Sequence, residues 1–310
     1  MVSNVLRLDE CTAEVNEHVG GKAIGLGHLM RQSLEVPNGF VVTTKAYRDW
    51  LEHHQAIKRE MYEILERSTG VVAEEQASEQ IRAMFESAEL PDGLADEILG
   101  AYHALDAGGA APVAVRSSAT AEDTADASFA GQQDTYLWIS GRESVLKHVV
   151  RCWGSLFTPY AIAYRRHLGI PVEEVAMAVV VQRMVEAEAA GVMITIDPVN
   201  GDRSQISIEG SFGLGLAVVG GEVTPDRYFV DKVTLDIRKR FITPKPFAYR
   251  LDRATGEVRR FDLPPDEVER PCLQEEEVIR LAEIGKRAER VLGGAQDLEW
   301  AIGPGPDGPR

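Results

Sequence analysis

Through the first third of the chain, apolar residues recur every three or four positions; beyond Val113 they fall into alternating or continuous runs. Gly20-Gly-Lys-Ala-Ile-Gly-Leu-Gly-His-Leu-Met30 opens on glycines and then carries Ile24, Leu26, Leu29 and Met30, which predicts a helix start. Val36-Pro-Asn-Gly-Phe-Val-Val-Thr43 reads as a turn feeding a short strand. Thr44 follows as the N-cap of a helix holding Tyr47, Trp50 and Leu51. Amphipathic spacing predicts further helices over about 55–68, 73–88 and 92–105, all assigned to scaffold duty.

Val113-Ala-Val-Arg116 is a short strand that runs into a stretch of small and polar residues, Ser117 to Asp134, before Thr135–Ile139 resumes as strand. Helices are predicted over about 142–153 and 158–168. Ala176–Met184 is almost continuously apolar, the signature of a strand buried on both faces. Strands follow near 190–196, 205–210, 227–231 and 246–250, then a helix over about 275–292 and a last strand, Asp297–Ile302. The expected division is an N-terminal lobe over 1–185 and a C-terminal lobe over 186–310. The closing Gly303-Pro-Gly-Pro-Asp-Gly-Pro-Arg310 has the residues of a turn joining two strands. It reads as a hairpin whose return strand lies elsewhere, as in a truncated or split protein.

Composition narrows the classes. A chain of 310 residues has the length of about two domains on a ~150-residue scale. With 44% hydrophobic and 26% charged residues it is globular rather than disordered. Its 33 Lys and Arg against 49 Asp and Glu give −16, which disfavours general binding to nucleic acid or an anionic membrane but leaves room for a locally positive cleft. Cys11, Cys152 and Cys272 are odd in number and widely spaced, which argues against a disulfide framework or a structural zinc site. No apolar run approaches the ~20 residues of a bilayer span, and no signal peptide is evident, so a cytoplasmic protein is expected.

Several residues could carry chemistry. Lys22 follows two glycines at a helix start, where backbone N–H groups and an ammonium together favour an anion. Arg116 ends an apolar strand, a place from which a guanidinium fork can clamp phosphate, and Gly131 beyond it would let backbone approach a ligand. Ser117 and Ser118 lack a nucleophile elbow and read as turn or phosphate-contact hydroxyls. Asp297 and Glu299 stand two apart on a strand and so share a face, while Leu298, Trp300 and Ile302 take the other. Paired hard oxygens of that kind suit Mg²⁺ on nucleotide phosphates. The chain has neither a GxxxxGK[ST] loop nor a GxGxxG fingerprint. The seven histidines read as helix-surface residues, and Arg238-Lys-Arg240 with Lys245 as a solvated basic strand edge.

In order along the chain, Gly20-Gly-Lys-Ala-Ile-Gly-Leu-Gly27, Val36-Pro-Asn-Gly-Phe40, Val115-Arg-Ser-Ser-Ala-Thr-Ala-Glu-Asp123 and Ala127-Ser-Phe-Ala-Gly-Gln-Gln-Asp-Thr-Tyr136 are followed by Cys152-Trp-Gly-Ser-Leu-Phe-Thr158, Gln182-Arg-Met184, Ser211-Phe-Gly-Leu-Gly215 and Gln296-Asp-Leu-Glu-Trp300. This series resembles the N-terminal nucleotide-binding domain of the dikinase-type phosphotransferases: phosphoenolpyruvate synthase, pyruvate phosphate dikinase, rifampin phosphotransferase and phenylphosphate synthase.

The resemblance implies an α+β ATP-grasp fold, two lobes with the nucleotide cleft between them. It implies that Lys22 and Arg116 bind the ATP phosphates catalytically. Gly131 and Thr135 would belong to a loop over the phosphates. Gln182, with the backbone near Met184 and Val185, would meet adenine, and Asp297 and Glu299 would hold Mg²⁺, with Glu299 also facing the nucleotide.

Family members pass the β-phosphate of ATP to a histidine on a separate swivelling domain, releasing AMP and phosphate. An acceptor-binding domain then delivers it to pyruvate, an antibiotic hydroxyl, a phenol or a glucan. Two departures are visible. Leu216 stands where the family has glutamate, and the family's Gln-Ser-Arg-Pro strand is not reached by Arg310. The alternative expectation is an ATP-binding regulatory module that transfers nothing.

Overall fold

In the computed structural model, residues 2–106, 110–119, 134–305 and 308–309 are described, and the chain divides into two compact units, Met1–Met184 and Val185–Arg310. Both mix helices with antiparallel sheet, an α+β architecture.

The first unit begins with β1 (Val5–Arg7), α1 (Asn16–Arg31) and β2 (Gly39–Val42). Four helices follow: α2 (Thr44–His53), α3 (Gln55–Arg67), α4 (Val71–Ser87) and α5 (Asp92–Ala104). It closes with β3 (Val113–Ala119), β4 (Thr135–Ile139), α6 (Arg142–Gly154), α7 (Pro159–Leu168) and β5 (Met177–Arg183). The strands form one sheet in the order β1-β2-β5-β3-β4, every neighbouring pair antiparallel. Central β5 is buried from Met177 to Gln182, as its continuous apolar run requires.

Helices cover that sheet unequally. Val113, Val115, Val179 and Val181 join the cluster formed by α2–α7, including Trp50, Ile81, Phe85, Trp153 and Phe157. Val41, Ala178 and Val180, on the other face, form a smaller cluster with Leu8, Cys11 and the α1 residues Val19 and Ala23, edged by Leu6, Val15, Ile24, Leu26 and Met30. Two corrections arise. The residue preceding α2 is Thr43, not Thr44; Thr43 Oγ1 donates to the Ser3 and Asn4 carbonyls, and Thr44 Oγ1 to the Glu17 carbonyl, so neither hydroxyl caps the helix. And β3 runs on through Ser117 and Ser118, which pair with Val179 and Ala178 instead of starting a loop.

The second unit contains β6 (Ala189–Ile194), β7 (Gln205–Phe212), the short α8 (Leu216–Val219), β8 (Asp226–Asp231) and β9 (Ile237–Phe241). The hairpin β10 (Phe247–Asp252) and β11 (Glu257–Asp262), the short α9 (Pro265–Val268), α10 (Glu275–Leu292) and β12 (Asp297–Ile302) complete it, before the two-residue strands β13 (Pro304–Gly305) and β14 (Gly308–Pro309). Its main sheet is antiparallel in the order β12-β6-β7-β8-β9. One face is the core: Met193, Ile206, Ile208, Phe212, Tyr228 and Val230 pack on Val278, Leu281 and Ala282 of α10. That helix is amphipathic, with a capping box in which the Gln274 N–H donates to Glu277.

The basic run splits. Arg238 and Arg240 sit exposed on edge strand β9, paired with Asp231 and Glu275. Lys245, expected beside them in solvent, is completely buried and bonded to the equally buried Asp226 at 2.7 Å. No described helix is long and apolar enough to cross a membrane.

Candidate nucleotide site

Gly20 breaks α1. Its backbone stands at φ 75° and ψ 166°, a region essentially reserved for glycine, so the helix restarts at Gly21 and Lys22 falls in its first turn. There the amide N–H groups lack intrahelical partners. Ser118 supplies one: its Oγ accepts from Ala23 N at 3.3 Å and donates to the Val19 carbonyl at 2.7 Å, tying β3 to both sides of the break. Lys22 Nζ donates to the Ser117 carbonyl at 2.9 Å. Both serines are buried, so Ser118 joins strand to helix rather than offering a hydroxyl to a phosphate. Gly20→Ala should cost about 1–3 kcal/mol of stability and displace Lys22, read as a lower thermal midpoint together with weaker ATP binding.

Register places the other cations and polar groups on this same face. Arg116 pairs with Val180 on one side, and Val180 packs under α1, so Arg116 projects to the α1 side of the sheet. On its other side Arg116 pairs with Thr135, which therefore shares that face. The pairing steps from Val113–Ile139 to Val115–Tyr136, so β4 spends one residue more than β3 and bulges. Trp138 in that bulge adopts φ 55°, a strained value for a bulky side chain.

Gln182 pairs with Ala114 and with Gly39, again on the α1 face, and its Nε2 donates to the Pro37 carbonyl at 3.0 Å. Just beyond, the Met184 N–H is already committed to the Pro112 carbonyl at 2.9 Å. The first unit thus brings Lys22, Arg116, Thr135 and Gln182 to one side of its sheet. Gly131 lies outside the described residues. Val185, half-buried, is the first residue of the second unit and lies against Gly303.

In the second unit, β12 pairs with β6 so that Asp297 faces Ile194 and Glu299 faces Val192, both carboxylates on the face away from α10 and both exposed. Trp300 fixes this orientation. Its indole Nε1 donates to the Val192 carbonyl at 3.1 Å, and its ring occupies the space above Gly210, where a Cβ would stand 2.6 Å from a ring carbon.

Partial desolvation on the sheet face first, and the neighbouring Glu299 charge second, push the Asp297 carboxyl above its ordinary range, a shift that a bound cation would oppose. Among the described residues no group of three or more His, Cys, Asp or Glu forms a metal cage. Two carboxylates with phosphate oxygens completing the shell is the ordinary arrangement for Mg²⁺, so this donor set fits it. A third carboxylate escapes sequence reasoning: Glu209 pairs with Val192, placing it on the same face two strands, about 10 Å, from Glu299. It leans toward Arg227 at 3.8 Å.

Comparison with known proteins assigns the class. The family described as pyruvate phosphate dikinase, AMP/ATP-binding domain, matches residues 16–308, and the chain belongs to it. It is therefore an ATP-binding domain of the kind found in pyruvate phosphate dikinase and phosphoenolpyruvate synthase. It is 42% identical over 305 residues to a probable phosphoenolpyruvate synthase of Methanocaldococcus jannaschii, covering 96% of this chain and 25% of that protein. A probable phosphoenolpyruvate synthase of Archaeoglobus fulgidus is 44% identical (92% and 38% covered), and the phosphoenolpyruvate synthase of Aeropyrum pernix 40% identical (96% and 40%). The chain spans between a quarter and two-fifths of the length of these relatives.

Proposed function

We propose that this chain is the Mg·ATP-binding, ATP-grasp-type part of a dikinase-type phosphotransferase. In this reading the β-phosphate of ATP passes to a histidine on a separate domain or subunit, AMP and phosphate leave, and the phosphoryl group goes on to a small acceptor. The relatives' names favour pyruvate as that acceptor over a hydroxylated antibiotic or phenol. The observation that carries the proposal is the gathering of Lys22, Arg116 and Thr135 beside a helix start on a single sheet face.

Phosphoryl transfer asks a protein mainly for positioning and charge neutralisation. The Lys22 ammonium and the Arg116 guanidinium take the phosphate oxygens, and the guanidinium can do so through two parallel N–H bonds. Thr135 offers a hydroxyl beside Arg116. Gln182, with the backbone at Met184 and Val185, meets the adenine edge. Asp297 and Glu299 hold Mg²⁺, which supplies further neutralisation of the phosphate charge.

Calorimetric titration with ATP, with and without Mg²⁺, tests this. Binding should tighten with Mg²⁺, and that gain should vanish in Asp297→Asn and Glu299→Gln while metal-free binding persists. An undiminished Mg²⁺ effect in both variants would remove those residues from the metal site. ATP binding by the whole protein without AMP formation would favour the regulatory module instead.

A further inference from the structure

β4 stands last in its sheet and pairs with β3 at Val113–Ile139, Val115–Tyr136 and Arg116–Thr135. Thr135 is therefore its terminal rung, beyond a bulge, where a short edge strand opens most readily. Yet this is the residue whose hydroxyl has to stay beside Arg116.

A second restraint comes from the residues on either side of Thr135. Tyr136 faces away from α1 and packs against the cluster formed by α2–α7. Its O–H donates to Asp134 Oδ2 at 2.7 Å, which puts the Asp134 side chain on the same face. Arg82, from α4, donates to that oxygen through Nη2 at 2.6 Å, and its stem passes Gly154, where a Cβ would stand 3.7 Å from Arg82 Cγ. The Asp134 carbonyl also receives the Cys152 thiol of α6 at 3.9 Å.

Tyr136 is held in turn. His148 meets its ring edge-on at 4.9 Å, and the Arg151 guanidinium lies 6.0 Å from the ring centre while bonding Glu86 at 2.9 Å. Burial, followed by the Asp134 carboxylate, raises the Tyr136 pKa, so the phenol stays a donor through the neutral range. With Arg82 34% and Asp134 29% exposed, the ion pair adds little to global stability. Its local effect is larger, because two charge-assisted bonds converge on the residue that leads into Thr135.

We propose that Asp134, clasped by Arg82 and Tyr136, is a positioning residue that holds Thr135 beside Arg116; this rests on the assignment of that sheet face to the ATP phosphates. Asp134 and Tyr136 point one way and Thr135 the other. Fixing the first two therefore fixes the backbone from which the third projects. Without the clasp the end of β4 opens and the hydroxyl leaves its place, while the core beneath keeps its packing.

Two measurements on the full chain test this. Amide hydrogen exchange without nucleotide, read by mass spectrometry, should be about tenfold faster in β4 of Asp134→Ala and unchanged in β5. Calorimetry should find ATP binding about threefold to tenfold weaker in Asp134→Ala and in Thr135→Val. Adding Asp134→Ala to Thr135→Val should then cost at most about twofold more, because the hydroxyl it positions is already gone. A purely structural role would lower the thermal midpoint without that coupling. Arg82→Met and Tyr136→Phe each remove one donor, should reproduce both effects in smaller measure, and serve if Asp134→Ala does not fold. Arg82→Lys should recover most of the parent affinity. Unchanged exchange in β4, or an equal loss of affinity with and without the Thr135 hydroxyl, would overturn the clasp. Undiminished ATP affinity in Thr135→Val alone would instead remove Thr135 from the phosphate site, and with it the role given to Asp134.

Discussion

Arg116→Met should weaken ATP binding about tenfold to a hundredfold in a protein that still unfolds cooperatively in the absence of nucleotide. The size follows from the bond type: a charge-assisted hydrogen bond contributes about 1.5–3 kcal/mol, and a guanidinium can give two to one phosphate. Arg116 is half-buried on the α1 face, so methionine replaces its stem in the packing and removes the charged fork. Arg116→Lys should recover little, because a single ammonium cannot reproduce the paired donors.

Lys22→Met should cost a comparable amount. The double variant should lose less than the sum, since both cations neutralise the same phosphates. Calorimetry measures each affinity, and a thermal scan with ATP provides a check, because a ligand bound only to the folded state raises its midpoint. Unchanged affinity in a folded Arg116→Met protein would contradict the assignment of this face to the phosphates.

Where periodicity was strong, the elements could be read from sequence. The apolar run of β5, the amphipathic α10 and the alternation in Asp297–Ile302 each follow from one dominant repeat. Short polar strands offered no such repeat. β11, exposed at five of its six positions, and the three-residue β1 are held by backbone pairing to β10 and β2, which leaves little mark on side-chain choice. Ser117 and Ser118 resembled a loop because small hydroxyl residues favour turns. In the fold they are interior, and Ser118 bonds around the Gly20 break, a partnership ninety-odd residues long that no local pattern could reveal.

The site was legible in the same uneven way. Lys22, Arg116 and the Asp297–Glu299 pair each had a local reason to be singled out, namely a helix start, a strand end and a two-residue spacing. That Arg116, Thr135 and Gln182 share a face depends on strand order, and Glu209 joins the carboxylate face only through the β6–β7 register. The burial of Arg165 and of Lys245, the latter read from sequence as solvated, went unforeseen for a related reason. A cation in sequence looks solvated unless its surroundings are known, and both are buried by contacts distant in the chain.

Lys245 therefore carries the largest stability effect expected outside the hydrophobic core. Its ammonium and the Asp226 carboxylate are both completely inaccessible and 2.7 Å apart. Nζ also donates to the Thr243 carbonyl at 2.8 Å and lies 5.6 Å from the centre of the Phe212 ring. Asp226 accepts in addition from the Thr243 N–H at 3.0 Å and the Cys272 N–H at 2.8 Å. One carboxylate thus pins β8, the segment after β9 and the approach to α10.

Removing one partner of a buried pair leaves the other charge uncompensated, which costs about 3–5 kcal/mol, a large fraction of the roughly 5–15 kcal/mol that holds an ordinary domain. Lys245→Met and Asp226→Leu should each lower the urea midpoint by that measure. Replacing a buried pair by two apolar residues often restores stability. Here it should do so only in part, because Asp226→Leu also strips the Thr243 and Cys272 amides of their acceptor. The double variant should accordingly be more stable than Asp226→Leu alone, yet remain well below the parent. Full recovery would mean that the amides find other acceptors and that the pair, rather than the carboxylate hub, is what Asp226 provides.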